Sequence, residues 1–232
     1  MRYFRKMLTF VKTEAVRKIL EQEGVLDVRV APVGLDTSVI RENREGREEI
    51  RWELGLPDKL RLLLFVGRLE TYKRPLAALE LLERLGEGYG LIVIGDGSLR
   101  EKFERELEKR GLEERVFYFS RIPNVQMYRY YAASDYFVNF NTHEIFGMSI
   151  LEAMYQGCIV VARRAPGPEQ IIENGVSGFL CSSDQEMDEM LAVPQPSDMG
   201  ERARNRVMEN FTWDATAERI RAEVFRKICE NT

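Results

Sequence analysis

The chain has 232 residues, 44% of them hydrophobic, with 34 basic and 38 acidic side chains and a formal net charge of −4. That length and apolar content are enough for one large α/β domain or two small ones with a real core. The near-balance of charge argues against a general affinity for nucleic acid, and the three scattered cysteines, Cys158, Cys181 and Cys229, make neither a disulfide framework nor a metal site, as expected in a reducing cytosol.

The N-terminal MRYFRKMLTFVK is basic and partly apolar but lacks the apolar core of a signal peptide. Residues 1–24 read as a helix, or a strand plus helix, ahead of VRVAPVGLD (28–36). Further on, short apolar runs alternate with longer amphipathic stretches. LRLLLFVG (60–67) reads as a buried strand, 72–88 as a helix ending at glycine, and YGLIVIGDG (89–97) as a strand leading into a glycine turn. Residues 98–111 read as a helix with Ser98 as N-cap and Gly111 as stop. VFYF (116–119) is a strand, and 123–134 a helix with Pro123 at its first turn. DYFVNF (135–140) and GCIVVA (157–162) continue the pattern, a helix spans about Gly167 to Glu173, and SGFLC (177–181) is the last short strand. From about Asp184 onward only helices follow, broken at PQP (194–196) and FTWD (211–214). The longest apolar runs are strand-length and too short to span a bilayer. Strands without polar alternation are buried on both faces, so the βα rhythm predicts a doubly wound parallel sheet under helices.

In such sheets ligands bind beyond the C-terminal strand ends, near helix N-termini. Three strand ends qualify. In VGRLETYKRP, Arg68 and Lys73 lie at the start of the next helix, where cations are unfavourable unless an anion sits between them. The alternative is two solvated surface charges. In HEIFGMSILEAMYQG, Gly147 permits a tight turn into a helix, and the amides of Gly147, Met148 and Ser149 form an anion cradle. Glu152 falls opposite the Ile150, Leu151 and Met154 face and looks to solvent or to the cleft, where its carboxylate would suit vicinal hydroxyls. Glu144 beside an anion cradle makes sense if it holds the hydroxyl end of the same ligand. Neighbouring His143 donates to the ligand or stands as an exposed loop histidine. In ARRAPGPEQIIENG, Pro166 and Gly167 mark a helix start with further backbone donors, and Glu169 is favourable there in any case. The turn IGDGSL (94–99) lacks the third glycine of a dinucleotide fingerprint and reads as a turn and helix cap.

VGRLETYKRP, IGDGSLR, YYAASDYFVNF, HEIFGMSILEAMYQG and APGPEQIIENGVSGFL, in this order, resemble the C-terminal domain of family 4 retaining glycosyltransferases of GT-B fold, and PVGLDTSVI and ENFTWDATAERI resemble that family's opening and closing segments. The resemblance implies a Rossmann-like donor domain, the C-terminal half of a GT-B fold. It implies that Glu144 meets donor-sugar hydroxyls, Glu152 the ribose, and Arg68 and Lys73 the diphosphate. Gly67, Phe146, Gly147, Met148 and Ser149 would then line the phosphate and sugar, and Ser120, Arg121 and Ile122 the base. The donor would be a UDP- or GDP-linked sugar, with no metal or other cofactor. The family's acceptor domain lies N-terminal, so a missing domain or partner subunit is expected, with little transfer by this chain alone. On this reading 1–24 is an N-terminal remnant, 25–212 the nucleotide-sugar-binding domain and 213–232 a crossover helix whose apolar side carries Ile220, Val224, Phe225 and Ile228. Departures from the family pattern are Phe140 and Asn141 in place of Pro-Ser, Ile145 for a small residue, Ser120 for glycine, and Gln170 where glutamate is usual. Rival readings are an epimerase or phosphorylase module, a sugar-nucleotide-binding subunit, and membrane docking by residues 2–12. Localisation is expected to be cytoplasmic, at most peripheral to the cytoplasmic membrane face.

Overall fold

Six parallel strands form the main sheet in the order β5-β4-β3-β6-β7-β8: β3 (Arg61–Val66), β4 (Tyr89–Ile94), β5 (Val116–Phe119), β6 (Tyr136–Asn139), β7 (Ile159–Arg163) and β8 (Phe179–Cys181). The computed structural model describes residues 7–38 and 45–230. Alternate residues of each strand feed two separate cores. Leu62, Leu64, Ile92, Phe137 and Val160 face one side, and Leu63, Phe65, Leu91, Val93, Val138 and Val161 the other. Both faces are therefore apolar, as the unalternating runs required.

Helices cover each face. The first core is closed by α2 (Glu45–Glu53), α5 (Asn124–Ala133), α6 (Met148–Tyr155), α7 (Pro166–Ile171) and α9 (Met199–Asn210); the second by α3 (Pro75–Leu85), α4 (Arg100–Lys109) and α8 (Asp184–Ala192). Burial of Tyr131, Leu151, Met154 and Val207 on one side and Leu79, Leu82, Phe103 and Leu191 on the other holds the layers, each such side chain stabilising by roughly 1.5–3 kcal/mol. The spacing of apolar residues does not predict helix α2. Its sequence EGREEIRWE is strongly polar, and one fully buried residue, Ile50, with Arg51 bonded to the carbonyls of Pro57, Leu60 and Ala133, docks it on α5.

A second, two-stranded parallel sheet joins β1 (Thr9–Val11) and β2 (Val28–Val30) around α1 (Glu14–Gln22), with its own small core of Val11, Val25 and Val28. This unit takes in residues on both sides of position 24. Of the N-terminal basic-aromatic stretch, Arg2, Tyr3, Phe4, Arg5 and Lys6 lie outside the described residues. The last helix, α10 (Trp213–Glu230), runs back to the small sheet, where Glu223 pairs with Arg29 at 3.0 Å and Lys227 with the buried Asp27 at 2.5 Å. The hydrogen bond from Lys227 holds the Asp27 carboxyl below its usual range. The PVGLD and FTWD segments meet directly, through Leu35 N donating to Phe211 O at 2.7 Å and Trp213 N to Leu35 O at 3.2 Å. On α10, Val224, Phe225 and Ile228 are exposed and Ile220 is half-buried. No helix among the described residues is long and apolar enough to cross a membrane.

Candidate functional site

Chain order runs outward from β3 through β4 to β5, then jumps back so that β6 flanks β3 on its other side. This reversal is the switch point at which open α/β sheets form a cleft. The loops leaving β3 and β6 carry the first cluster. Lys73, in a 3-10 turn (Thr71–Lys73), reaches across to Glu144, and its Nζ lies 2.5 Å from Glu144 Oε2. Asn141, fully buried, donates to the same carboxylate oxygen at 3.2 Å and accepts from the His143 amide at 2.9 Å. The Asn141 that departs from the family pattern thus organises this loop. His143 itself is exposed, and its Nδ1 is paired with the neighbouring Thr142 hydroxyl at 3.1 Å.

Gly147 ends the loop with φ 103°, a left-handed conformation that side chains resist, and leads into α6 without a side-chain cap. The amides of Gly147, Met148 and Ser149 meet no acceptor among the described residues, so the helix N-terminus presents open donors. The Gly167 amide does not join them. It donates to Glu144 O at 2.7 Å, and Pro166 has no amide hydrogen. The expectation of further anion donors at the APGPEQ stretch is therefore corrected: this helix start buttresses the Glu144 loop. Gly167 approaches so closely that a Cβ there would stand 2.1 Å from Phe146 O. Gln170 turns away, its side chain accepting from the Glu14 amide at 3.1 Å.

The second cluster lines a cavity of about 480 Å³ between the ends of β3, β4 and β5 and helices α5 and α6. Val66, Gly67 and Arg68 form one wall, Ile94, Gly95 and Asp96 the floor, and Ser120, Arg121 and Ile122 the far side, with Val125, Met127, Tyr128 and Tyr131 closing it and Glu152 at its edge. Arg68 is exposed and lies over the Tyr72 ring, 5.5 Å from its centroid, donating to the Tyr72 hydroxyl. Glu152 faces the cavity and accepts from the buried Tyr131 hydroxyl at 2.7 Å. It has no cation partner among the described residues. Burial pushes its carboxyl above the usual glutamate range, and the Tyr131 hydrogen bond offsets only part of that. Burial likewise raises the Tyr131 phenol well above its usual value, so it remains a donor.

The twelve residues singled out from sequence thus fall into two adjacent groups. Gly67, Arg68, Ser120, Arg121, Ile122 and Glu152 line the cavity, while Lys73, Glu144, Phe146, Gly147, Met148 and Ser149 gather at the α6 N-terminus. Gly67 joins the groups: a Cβ there would stand 3.7 Å from the Lys73 stem. Sequence reasoning missed Tyr131, Tyr128 and Val125, whose helix α5 shows little amphipathic signal, and it favours a turn and helix cap over ligand contact at Gly95 and Asp96. Ser98 is not the α4 cap. Its amide and hydroxyl bond the Glu70 carboxylate at 3.0 and 2.6 Å, tying the β4 loop to the β3 loop. Among the described residues no three His, Cys, Asp or Glu side chains converge.

Comparison with known proteins accords with this geometry. A family profile described as glycosyl transferases group 1 matches residues 46–206, which includes both clusters. The chain is 30% identical over 206 residues to a D-inositol 3-phosphate glycosyltransferase of Xylanimonas cellulosilytica, covering 82% of this chain and 49% of that protein. It spans about half the length of the curated relatives it matches. The crystal structure of Anabaena Alr3699/HepE in complex with UDP and glucose superposes with a TM-score of 0.82 at 22% identity, over 95% of this chain and 63% of that one. The C-terminal domain of the group 1 glycosyltransferase LpcC from Francisella tularensis is matched over its full length, 100%, by 78% of this chain, with a TM-score of 0.66 and 22% identity. The fold is that of the C-terminal half of a GT-B glycosyltransferase. From the family match across both clusters, the chain belongs to the glycosyl transferases group 1.

Proposed function

We propose that the cleft binds a nucleoside diphosphate sugar and serves as the donor half of a retaining, family 4 glycosyltransferase. The observation that carries this reading is Glu152, a half-buried carboxylate that faces a cavity with no cation partner among the described residues. Such a group is costly unless a ligand completes it, and the two hydroxyls of a ribose match a carboxylate with free lone pairs. The base then lies against Ser120, Arg121 and Ile122, and the diphosphate passes Gly67 toward Arg68, Lys73 and the open amides of Gly147, Met148 and Ser149. Glu144, oriented by Asn141, holds sugar hydroxyls at the far end. A neighbour of this fold was crystallised with UDP and glucose, which supports a nucleotide sugar as the class of ligand.

Breaking the glycosyl–phosphate bond builds negative charge on the departing diphosphate. Fixed cations and amides aimed at that charge stabilise the transition state more than the ground state. Arg68 and Lys73 supply the cations in this reading, with no metal required. An acceptor held by a domain or subunit N-terminal to this one receives the sugar, at the cytoplasmic side and at most peripheral to a membrane. Calorimetric titration with UDP, GDP and ADP, each free and sugar-linked, tests the proposal. One nucleotide is expected to bind, and Glu152→Ala and Arg68→Ala to weaken it. No binding near 1 mM, about −4 kcal/mol, even with an N-terminal domain supplied, would overturn it.

A further inference from the structure

Arg74 follows Lys73 directly and is the one non-glycine residue with positive φ among the described residues, at φ 54° and ψ 53°. A Cβ disfavours this left-handed conformation, and the following Pro75 restricts the backbone further. The turn it makes links the Lys73 segment to α3. Its guanidinium meets Asp184 with two N–H groups, Nη1 to Oδ1 at 3.0 Å and Nη2 to Oδ2 at 2.5 Å. Asp184 opens α8 and also accepts from Arg163 at the end of β7, while Arg163 Nη2 donates to Ser182 O at 2.8 Å. Two-pronged pairs of this kind, held in a network, are the ion pairs that retain their strength near a surface.

Stapling α3 to α8 is not a sufficient account of this pair. Arg84 and Asp188 already join the same helices with bonds of 2.6 and 2.9 Å. What distinguishes the Arg74 pair is its position beside Lys73. A lysine stem is long and flexible, so where Nζ comes to rest depends on the backbone from which it departs. Here that backbone is a single 3-10 turn that ends in the unfavourable conformation of Arg74.

We infer that Arg74 is a positioning residue: its ion pair with Asp184 holds the left-handed turn that aims Lys73 at the diphosphate side of the cleft. This rests on the reading of Lys73 given above. The test is UDP affinity by calorimetry together with thermal unfolding, in Asp184→Asn, Arg74→Gly and Asp188→Asn, and in Asp184→Asn combined with Lys73→Ala. Asp184→Asn is expected to weaken UDP at least fivefold. Arg74→Gly, which removes the pair together with the Cβ that disfavours the turn, is expected to lose less affinity than Asp184→Asn. Asp188→Asn lowers Tm as well but changes UDP affinity less than twofold. With Lys73 already alanine, Asp184→Asn adds less than a further twofold. Wild-type affinity in Asp184→Asn would overturn the inference, as would a larger loss in Arg74→Gly than in Asp184→Asn, an equal loss in Asp188→Asn or a loss undiminished without Lys73. Failure of the wild type to bind UDP or any other nucleotide tested, even with an N-terminal domain supplied, would instead remove the donor-cleft reading on which it rests.

Discussion

The two ends of the cleft are built differently. The cavity end is framed by strand termini and two helices, and one of its two carboxylates, Glu152, is held by a buried tyrosine and has no cation partner among the described residues. The loop end is a 3-10 turn facing a loop, and its charges, Lys73 and Glu144, already neutralise each other. Rigid elements can carry an uncompensated group at a standing cost to stability, because their own packing exceeds it. Loops cannot, so their charges are satisfied first and must change partners when a ligand arrives. The cavity end is therefore suited to affinity, and the loop end to the step in which charge develops.

The largest expected effect would break the loop end. Gly167→Ala places a methyl against the Phe146 carbonyl, and neither backbone can yield without losing the Gly167–Glu144 hydrogen bond. A loss of about 3 kcal/mol is expected, roughly 6–12 °C in Tm, together with loss of UDP binding. An unchanged melting curve would show that the loop gives way freely and that the contrast between the ends is false. Next, Arg68→Ala is expected to weaken UDP by about 1.5–3 kcal/mol, roughly 10–100-fold, while leaving uridine nearly unaffected. Because Arg68 is exposed and touches mainly Tyr72, its Tm should move by no more than about 0.5 kcal/mol of stability.

Glu152→Gln sharpens the comparison, because its two effects have opposite signs. Removing an uncompensated buried charge should stabilise the unliganded protein by about 1 kcal/mol, roughly 2–4 °C, while weakening UDP about fivefold. The sign with pH follows from the raised carboxyl of Glu152. The folded state binds this proton more tightly than the unfolded chain, so the penalty is full above the raised value. It disappears as pH falls through the raised value toward the ordinary glutamate range. The Tm advantage of Glu152→Gln over wild type should shrink accordingly on acidification, and an advantage that grows instead would contradict the assignment. The smallest effect belongs to Ser98→Ala. This removes an exposed hydrogen bond to Glu70 and is expected to leave both Tm and UDP affinity essentially unchanged.

The sequence by itself determined the layered fold. Strand and helix are encoded in the local spacing of apolar residues, and the runs at 60–67, 89–97 and 157–162 had no polar alternation, so both faces had to be covered. It also marked Gly147, Glu144, Glu152, Arg68 and Lys73, since unusual charges and glycines beside strand ends stand out without any knowledge of their neighbours. Only the tertiary structure decided their partners. Lys73 meets Glu144 across 71 positions, Arg74 meets Asp184 across 110, and Glu152 is set by a tyrosine 21 residues earlier. The same holds for the corrections: Ser98 went to Glu70 rather than to its own helix, the Gly167 amide to Glu144 rather than to the cleft, and polar α2 was fixed by one isoleucine and one arginine. The physical reason is common to all of them. Periodicity records how much of a segment is buried, whereas the identity of a partner depends on which crossover returns the chain to the same strand end.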